Sequence, residues 1–335
     1  MRLRTGALLA AAILALAGCG AAATPGVRAV KQATLILDFT PNAIHTGIYA
    51  ALARAYDVNA GVRLHVIAPA TSTDSIKLLE TGRVNFAVLD IHDLAIARER
   101  GADIVGIMAL VERPLAAVIA GPGISSPRQL EGRTVGVTGV PSDYAVLGSI
   151  VTGAGGNPRK LHDITIGFNA VPDLLAGRVA AATAFWNDEG VAVTRARPGF
   201  HVFQAYNYGA PSYPELVLCA TGSALRHDPA LAAGVVKALV RGYQFTLAHP
   251  RAAAADLERL APGVAPKLVA EELPGELPAF KGAGGRVGVL DPRVLRTWAA
   301  WEARFGIVKR PPDVGRMFDQ RFLFAARLDQ AATSP

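Results

Sequence analysis

The stretch TLILDFTPNAIHTG, residues 34–47, runs from an apolar, strand-like segment through a proline turn into a helix-like segment. Thr34–Asp38 is a short apolar run of the kind that forms a buried strand. Pro41 restricts the backbone of the turn, and Asn42 is a residue type favoured just before the first helical turn. The helical pattern continues over Ile44–Tyr56. A loop between a strand end and a helix start presents unpaired backbone N–H groups that can bind a ligand.

The same alternation of strand and helix continues along the chain and then restarts after Gly121-Pro122-Gly123. Strands that alternate with helices of this length indicate parallel sheets with crossover helices, the α/β class. Predicted strands lie at Val62–Ile67, Val84–Leu89, Arg133–Thr138, Ile164–Gly167, Val179–Ala184 and Glu215–Ala220. Predicted helices lie at Ser72–Thr81, Leu94–Arg100, Ser126–Leu130, from about Ser142, and at Pro229–Ala248, Arg251–Leu260, Pro266–Leu273 and Pro292–Phe305.

This pattern predicts two lobes, each a mainly parallel sheet flanked by helices, with the C-terminal helices packed on the first lobe. We expect residues 33–120 and 219–325 to form lobe I and residues 121–218 to form lobe II. The crossing segments near Ala117–Pro122 and Val217–Thr221 are the expected hinge. Open α/β sheets bind ligands at the carboxyl ends of their strands, so a cleft between the lobes is the expected site.

The N-terminus predicts export and lipid attachment. Charged residues precede the apolar run Ala7–Ala17, and Leu16-Ala17-Gly18-Cys19 resembles the lipobox of bacterial lipoproteins. We therefore predict a signal peptide over residues 1–18, lipidation of Cys19 and a tether over residues 19–32. The protein is then expected on the extracytoplasmic face of the cell membrane, held by its lipid anchor. The alternative is an ordinary signal peptide that happens to precede a cysteine.

Composition excludes several other classes of protein. The chain has 335 residues and a second cysteine only at Cys219, so a core rather than a disulfide framework must stabilise it. Its formal net charge of +7 is spread without a Lys/Arg-rich block, which argues against nucleic acid as a partner. The sequence has no HExxH, nucleophile elbow, Walker loop or Rossmann glycine fingerprint. We expect a monomer that is not an enzyme and binds no cofactor and no metal.

Four segments resemble one family. Leu37–Gly47 is similar to LDWTPNTNHTG, the opening motif of the binding proteins that serve thiamine-pyrimidine importers, at nine of eleven identical or conservative positions. Glu80–Val84 is similar to the family's approach to the third strand, and Phe185–Gly190 to its YWNxEG motif. Tyr208–Leu216 is similar to its YGVPxYPEL return to the first lobe.

The resemblance implies a periplasmic-binding-protein fold of the second type and a role in an ABC importer with permease and ATPase subunits. It implies a thiamine-precursor pyrimidine such as formylaminopyrimidine as the ligand. Riboflavin, which sibling branches bind, and another planar heterocycle or a small sulfonate-like solute stay open. A surface adhesin or structural lipoprotein would need no such motifs.

Within these motifs, several residues are candidate ligand contacts. Phe39, where the family usually has Trp, could stack on a ring. The Asn42 amide could pair with a heterocycle edge or cap the helix, and His45 could contact the ligand or make a structural hydrogen bond. The Glu189 carboxylate could pair with the ring nitrogen and amino group of an aminopyrimidine, or be a solvated residue of a first helical turn. Trp186 could form a second aromatic face or belong to the core.

Further candidates follow the other predicted strands and the return segment. Asp90 and His92 come directly after one strand. Tyr144 could stack on the ligand or lie on a helix surface, whereas its neighbour Asp143 is expected to cap that helix. Tyr208 flanks the return segment and completes the set of candidate ligand contacts.

An enzyme of the same superfamily is the competing hypothesis. The thiamine-pyrimidine synthase consumes one of its own histidines together with pyridoxal phosphate, which a lysine four residues earlier holds as a Schiff base. In the matching stretch the histidine is His92, but the lysine position is Val88. The synthase also carries a cysteine cluster on the return strand, where this chain has only Cys219. Both departures favour a binding protein.

Overall fold

The structure is a computed structural model that describes residues 30–261 and 263–326. The predicted signal peptide, the lipidation site Cys19 and the tether up to residue 29 lie outside these residues. Among the described residues, none of the helices is both long enough and apolar enough to cross a membrane.

Two five-stranded sheets organise the described chain. The strands are β1 (Lys31–Ile36), β2 (Val62–Ile67), β3 (Phe86–Asp90), β4 (Ile104–Val111), β5 (Ala116–Ala120), β6 (Thr134–Val137), β7 (His162–Thr165), β8 (Ala181–Phe185), β9 (His201–Gln204) and β10 (Leu216–Thr221). The first sheet has the order β2-β1-β3-β10-β4 and the second the order β7-β6-β8-β5-β9. This two-sheet α/β arrangement confirms the predicted fold class.

Both sheets are mixed, because the strands that cross between lobes run against their neighbours. β1 pairs in parallel with β2 and β3, as predicted, whereas β10 is antiparallel to β3 and β4. In the second sheet β6 is parallel to β7 and β8, and β5 is antiparallel to β8 and β9. The antiparallel strands are β5 and β10, the first strand that follows each crossing between lobes.

The chain passes from one sheet to the other several residues before each predicted lobe boundary. Ala116–Ala120, which we expected in lobe I, lies between β8 and β9 in the second sheet. Leu216–Leu218, which we expected in lobe II, pairs with β3 and β4 in the first sheet. The chain therefore crosses between lobes at residues 112–115 and 205–215. The Gly121-Pro122-Gly123 turn lies inside lobe II.

Helices cover the sheets and complete lobe I at the C-terminus. They are α1 (Thr46–Ala53), α2 (Tyr56–Asn59), α3 (Asp74–Glu80), α4 (Ile91–Glu99), α5 (Pro141–Gly153), α6 (Ala170–Leu175), α7 (Glu189–Ala196), α8 (Gly222–His227), α9 (Pro229–Ala248), α10 (Pro250–Leu260), α11 (Pro266–Glu276), α12 (Pro292–Arg304) and α13 (Val314–Met317). Short 3₁₀ helices lie at Ala43–His45, Pro127–Leu130, Pro158–Lys160, Ala205–Tyr208, Leu277–Phe280 and Ala283–Gly285.

The core of each lobe lies on both faces of its sheet, because side chains along a strand alternate between faces. Phe86 and Val88 of β3 pack in one cluster with Leu239 of α9. Leu89 of the same strand packs in the opposite cluster with Trp298 of α12. The C-terminal helices thus cover lobe I on both sides, as the sequence predicts.

Helix α1, which follows the first strand and its proline turn, crosses helix α9 at very short distance. A Cβ atom added to Gly242 would lie 1.9 Å from the backbone oxygen of Gly47, and one added to Gly47 would lie 2.3 Å from the Tyr243 ring. The Tyr243 hydroxyl donates to the Ile44 carbonyl oxygen at 2.9 Å. Two glycines therefore allow α1 and α9 to touch backbone to backbone.

Candidate functional site

A cavity of about 100 Å³ lies between the lobes at the carboxyl ends of the strands. Lobe I lines it with Asp38 and Phe39 after β1, the end of β3, and the first turn of α4. Lobe II lines it with the segment after β6, the start of α5, the end of β8 and the start of α7. The position is the one predicted for two α/β sheets that face each other.

Two phenylalanine rings from opposite lobes meet at this cavity. The centroids of Phe39 and Phe168 are 4.6 Å apart, and their planes make an angle of 83°. Phe39 is the predicted aromatic, whereas Phe168, in the loop between β7 and α6, was not predicted. Its position just after a strand is the signal that could have identified it. The two rings provide an aromatic wall for a flat ligand.

The polar lining of the cavity is acidic. Five carboxyl side chains line it: Asp38, Asp90, Asp93, Asp143 and Glu189. Among the described residues that line the cavity, none is Lys, Arg or His. The polar part of the cavity lining therefore consists of carboxyl and hydroxyl groups without a basic side chain.

Glu189 lies at the first turn of α7 and is buried. Its Oε2 accepts a hydrogen bond from the Phe185 backbone N–H at 3.1 Å, which closes the turn between β8 and α7. Burial, and then the neighbouring charge of Asp188, raises the pKa of Glu189 to about 8. The Glu189 side chain therefore makes a structural hydrogen bond and also lines the cavity, and its contact with a ligand stays a prediction.

Asp93 and Asp143 approach the cavity from opposite lobes. Burial, and then the charge of Asp90, raises the pKa of Asp93 to about 8, and its Oδ1 is buried without a hydrogen-bond partner. Asp143 accepts from the backbone N–H and the hydroxyl of Thr138, each at 2.6 Å, and burial raises its pKa. Asp143 therefore binds the end of the preceding strand, and it lines the cavity as well.

Asp90 caps α4 by accepting from the His92 backbone N–H at 2.7 Å, and burial raises its pKa well above the ordinary value. The His92 ring lies behind it, fully buried, with Nδ1 bonded to Glu302 and Nε2 3.8 Å from Glu215. Burial acts to lower the pKa of His92, but the charges of Glu302, Asp90 and Glu215 raise it to about 10. The predicted contact His92 thus lies under the cavity wall.

Asp90, His92 and Glu215 offer ligand atoms within 4.8 Å of one another, a grouping that could hold a metal ion. A metal requires a neutral imidazole, whereas this imidazole sits among three carboxyl groups that favour its protonated form. We therefore interpret the group as a buried ion cluster and assign no metal to it.

Asn42 and His45 lie beside the cavity and hold its lining in place. Asn42 Oδ1 accepts from the Ile44 N–H at 3.2 Å, and its Nδ2 donates to Asp188 at 2.5 Å. His45 Nδ1 accepts from the Asn42 N–H at 3.1 Å, and its Nε2 contacts Asp38 Oδ1 at 3.0 Å. Neither residue is part of the cavity lining. These are the capping and structural alternatives of the sequence analysis.

Three aromatic candidates lie away from the cavity lining. The Trp186 Nε1–H donates to the Pro114 carbonyl oxygen at 3.0 Å, which ties it to the crossing between β4 and β5. The Tyr144 side chain is 43% exposed, on the outer surface of α5. Tyr208 packs edge-on against Phe203, with ring centroids 6.1 Å apart. Phe39, Asp90 and Glu189 are the candidates that the structure brings together.

Comparison with known proteins gives this geometry a context. The chain is 29% identical to the formylaminopyrimidine-binding protein of Halalkalibacterium halodurans over 71% of this chain and 73% of that protein. It is 25% identical to the riboflavin-binding protein RibY of Chloroflexus aurantiacus, over 88% and 86%. It is 24% identical to a 4-amino-5-hydroxymethyl-2-methylpyrimidine phosphate synthase of Legionella pneumophila, over 67% and 72%.

Solved structures agree on the fold. The nitrate-binding protein NrtA of Synechocystis has a TM-score of 0.71 at 12% identity, covering 91% of this chain and 90% of its own. The alkanesulfonate-binding protein SsuA of Xanthomonas axonopodis has a TM-score of 0.70 at 13% identity, covering 87% and 99%. Residues 42–253 match the family described as NMT1/THI5 like. With more than half of its length in that match, the chain belongs to the NMT1/THI5-like family.

Proposed function

We propose that the protein is the solute-binding component of an ABC importer and that it captures a thiamine-precursor pyrimidine, a small planar heteroaromatic nutrient. One observation carries the proposal: the interlobe cavity combines the Phe39 and Phe168 rings with the buried carboxyl group of Glu189. The similarity to the formylaminopyrimidine-binding protein over 71% of the chain supports the same ligand class.

The chemistry of an aminopyrimidine complements these side chains. Its ring face packs against aromatic edges and faces, and its edge carries an amino group next to a ring nitrogen. A carboxyl group can pair with both at once, in the manner of a two-pronged carboxylate contact. We assign the ring wall to Phe39 and Phe168 and the edge contact to Glu189. Asn42 contributes indirectly, through its hydrogen bond to Asp188 beside Glu189. Asp90 contributes as part of the cavity wall.

Riboflavin is the second candidate, supported by the 25% identity to RibY. Its three fused rings and ribityl chain are much larger than a single pyrimidine. A cavity of about 100 Å³ between closed lobes favours the one-ring ligand. A flavin would require the lobes to stay further apart.

A pyrimidine synthase is the alternative from the class of enzymes. It needs a lysine that holds the pyridoxal aldehyde as a Schiff base. Val88 occupies that position and lines the cavity, and the described lining includes no lysine. A phosphorylated substrate would also meet five carboxyl groups. Both features favour binding without turnover.

The remaining assignments follow from the importer hypothesis. We propose a monomer that delivers its ligand to permease and ATPase subunits on the extracytoplasmic side of the membrane. Lipidation at Cys19 would hold it there.

Calorimetry and native mass spectrometry test this function. We expect 4-amino-5-aminomethyl-2-methylpyrimidine or its N-formyl derivative to bind with 1:1 stoichiometry, and riboflavin to bind at least about tenfold more weakly. Tight riboflavin binding with no pyrimidine binding would replace the first candidate by the second. Incubation with pyridoxal phosphate and borohydride should trap no stoichiometric adduct at a single lysine, and such an adduct together with pyrimidine product would favour the synthase.

A further inference from the structure

The acidic side chains of the cavity wall indicate the charge of the ligand. Asp90 and Asp93 come from the end of β3 and the first turn of α4, and Asp143 comes from the first turn of α5 in the other lobe. We call these three residues the aspartate cluster. Each of the three lines the cavity, and no basic side chain of the described lining faces them.

Two carboxylate oxygens on this wall have no donor. Asp93 is only 8% exposed, and its Oδ1 has no hydrogen-bond partner. Asp38, whose side chain is 10% exposed, has an Oδ2 in the same condition, although its Oδ1 is held by His45. Buried acceptors without partners cost free energy, so the cavity lacks donors that a ligand can supply.

We infer that the ligand is a cation: a flat heteroaromatic ring with a protonated amine substituent, whose ammonium group binds at the aspartate cluster. This inference rests on the proposed function and narrows its ligand class. An ammonium group supplies three donors for the carboxyl oxygens of the cluster, and its positive charge favours the ionised form of carboxyl groups whose pKa burial raises. A neutral amide at the same place supplies one N–H and no positive charge, so it does not favour the ionised form of these carboxyl groups.

The experiment compares two ligands that share one ring. 4-Amino-5-aminomethyl-2-methylpyrimidine has a charged side-chain amine at pH 7, and its N-formyl derivative is neutral there. We expect the full protein to bind the amine at least about tenfold more tightly, since hydrogen bonds to charged groups contribute about 1.5–3 kcal/mol. Equal or tighter binding of the formyl compound would overturn the inference and leave the proposed function standing. If neither compound binds, the proposed function itself fails.

A variant of Asp93 and a matched control test whether the preference for the amine arises at the aspartate cluster. Asp93→Asn keeps the side-chain shape, removes the charge and should weaken binding of the amine about tenfold or more while changing binding of the formyl compound little. The control Asp163→Asn lies on the exposed strand β7 and should change neither affinity. A thermal melt verifies that both variants fold. Equal weakening of both ligands by Asp93→Asn would argue against an ammonium contact.

Discussion

The side chains of Asn42 and Asp188, 146 positions apart in the sequence, form a buried hydrogen bond of 2.5 Å between the two lobes. Asn42 begins the 3₁₀ turn after the first strand, and Asp188 precedes α7, which carries Glu189 on the cavity wall. Neither residue lines the cavity. Their bond exists only when the lobes are together, so it stabilises the closed form.

We expect Asp188→Ala to weaken ligand binding about three- to tenfold, because a buried intramolecular hydrogen bond contributes about 0.5–1.5 kcal/mol. Small-angle scattering of the ligand-bound variant should show a larger fraction of open molecules. Glu271→Ala is the control: its pair with Arg195, at 3.4 Å, also crosses between α11 and α7 but is exposed and should contribute little. Equal effects of the two variants would contradict a special role for the buried bond.

The thermal stability of the protein should fall as pH rises from about 6 to 9, because α11 carries two buried glutamates against Asp188. Burial, and then the charge of Asp188, raises the pKa of Glu272 to about 9 and that of Glu276 to about 8. Burial also raises the pKa of Asp188. These groups bind protons in the folded state that they lose in the unfolded state, where the glutamate pKa is about 4.3. Their stabilising contribution is complete below that pKa and is lost as pH rises through 8–9.

Scanning calorimetry of wild type and the double variant Glu272→Gln/Glu276→Gln checks this dependence. The melting temperature of the variant should fall less steeply across this pH range than that of wild type, because Glu189 and Asp93, whose pKa is also raised to about 8, remain in both proteins. The other charged groups that act on Asp188, Glu272 or Glu276 remain in both proteins; they are Asp38, His45, Glu189 and Arg113. Parallel curves for the two proteins would show that these glutamates are not the source.

Glu189→Gln should weaken pyrimidine binding by about 2 kcal/mol, or roughly thirtyfold, because a neutral amide cannot form the charged hydrogen bond that an ionised Glu189 makes with a protonated ring edge. Glutamine retains the acceptor for the Phe185 N–H, so folding should change little. The control Glu80→Gln lies on the exposed side of α3, and its affinity should match wild type. Titration calorimetry measures both, and an unchanged affinity of the first variant would remove Glu189 from the binding site.

Gly242→Ala should destabilise the protein strongly, by about 1–3 kcal/mol or more, because overpacking forces backbone to shift. Its Cβ would lie 1.9 Å from the Gly47 oxygen, where α9 crosses α1. The control is Gly148→Ala in α5, whose Cβ would lie 3.7 Å from Pro158, an ordinary contact. That change should raise stability by about 0.5–1 kcal/mol, since alanine is the better helix former. Chemical denaturation compares the two.

Local signals in the sequence predicted the elements of the fold well. The α9 helix begins at Pro229 and ends at Ala248, as expected from Asp228-Pro229 at one end and His249-Pro250 at the other. β2 also has its predicted bounds, Val62–Ile67. In both cases strong capping or breaking residues flank a clear periodic pattern.

Strand pairing was harder to predict, because strand direction depends on which lobe the chain comes from. The apolar strands β4 and β5 were not predicted, and part of β5 was assigned to the hinge. At the site, Phe39 and Glu189 follow strand ends, Asp90 is the last residue of β3, and all three line the cavity. Phe168 was missed, since its neighbours in the sequence carry no motif. Ligand contacts of these residues stay predictions.

Glu215 lies on the second crossing between lobes, yet its Oε2 accepts hydrogen bonds from the backbone N–H groups of Leu115, at the end of the first crossing, and of Ala116, the first residue of β5, the latter at 3.0 Å. One side chain therefore joins the two crossing segments through hydrogen bonds. Its other oxygen lies 3.8 Å from His92, which sits behind Asp90 on the cavity wall. The side chain that joins the two crossings therefore also acts on the cavity wall, because the charges of His92 and Glu215 both affect the pKa of Asp90.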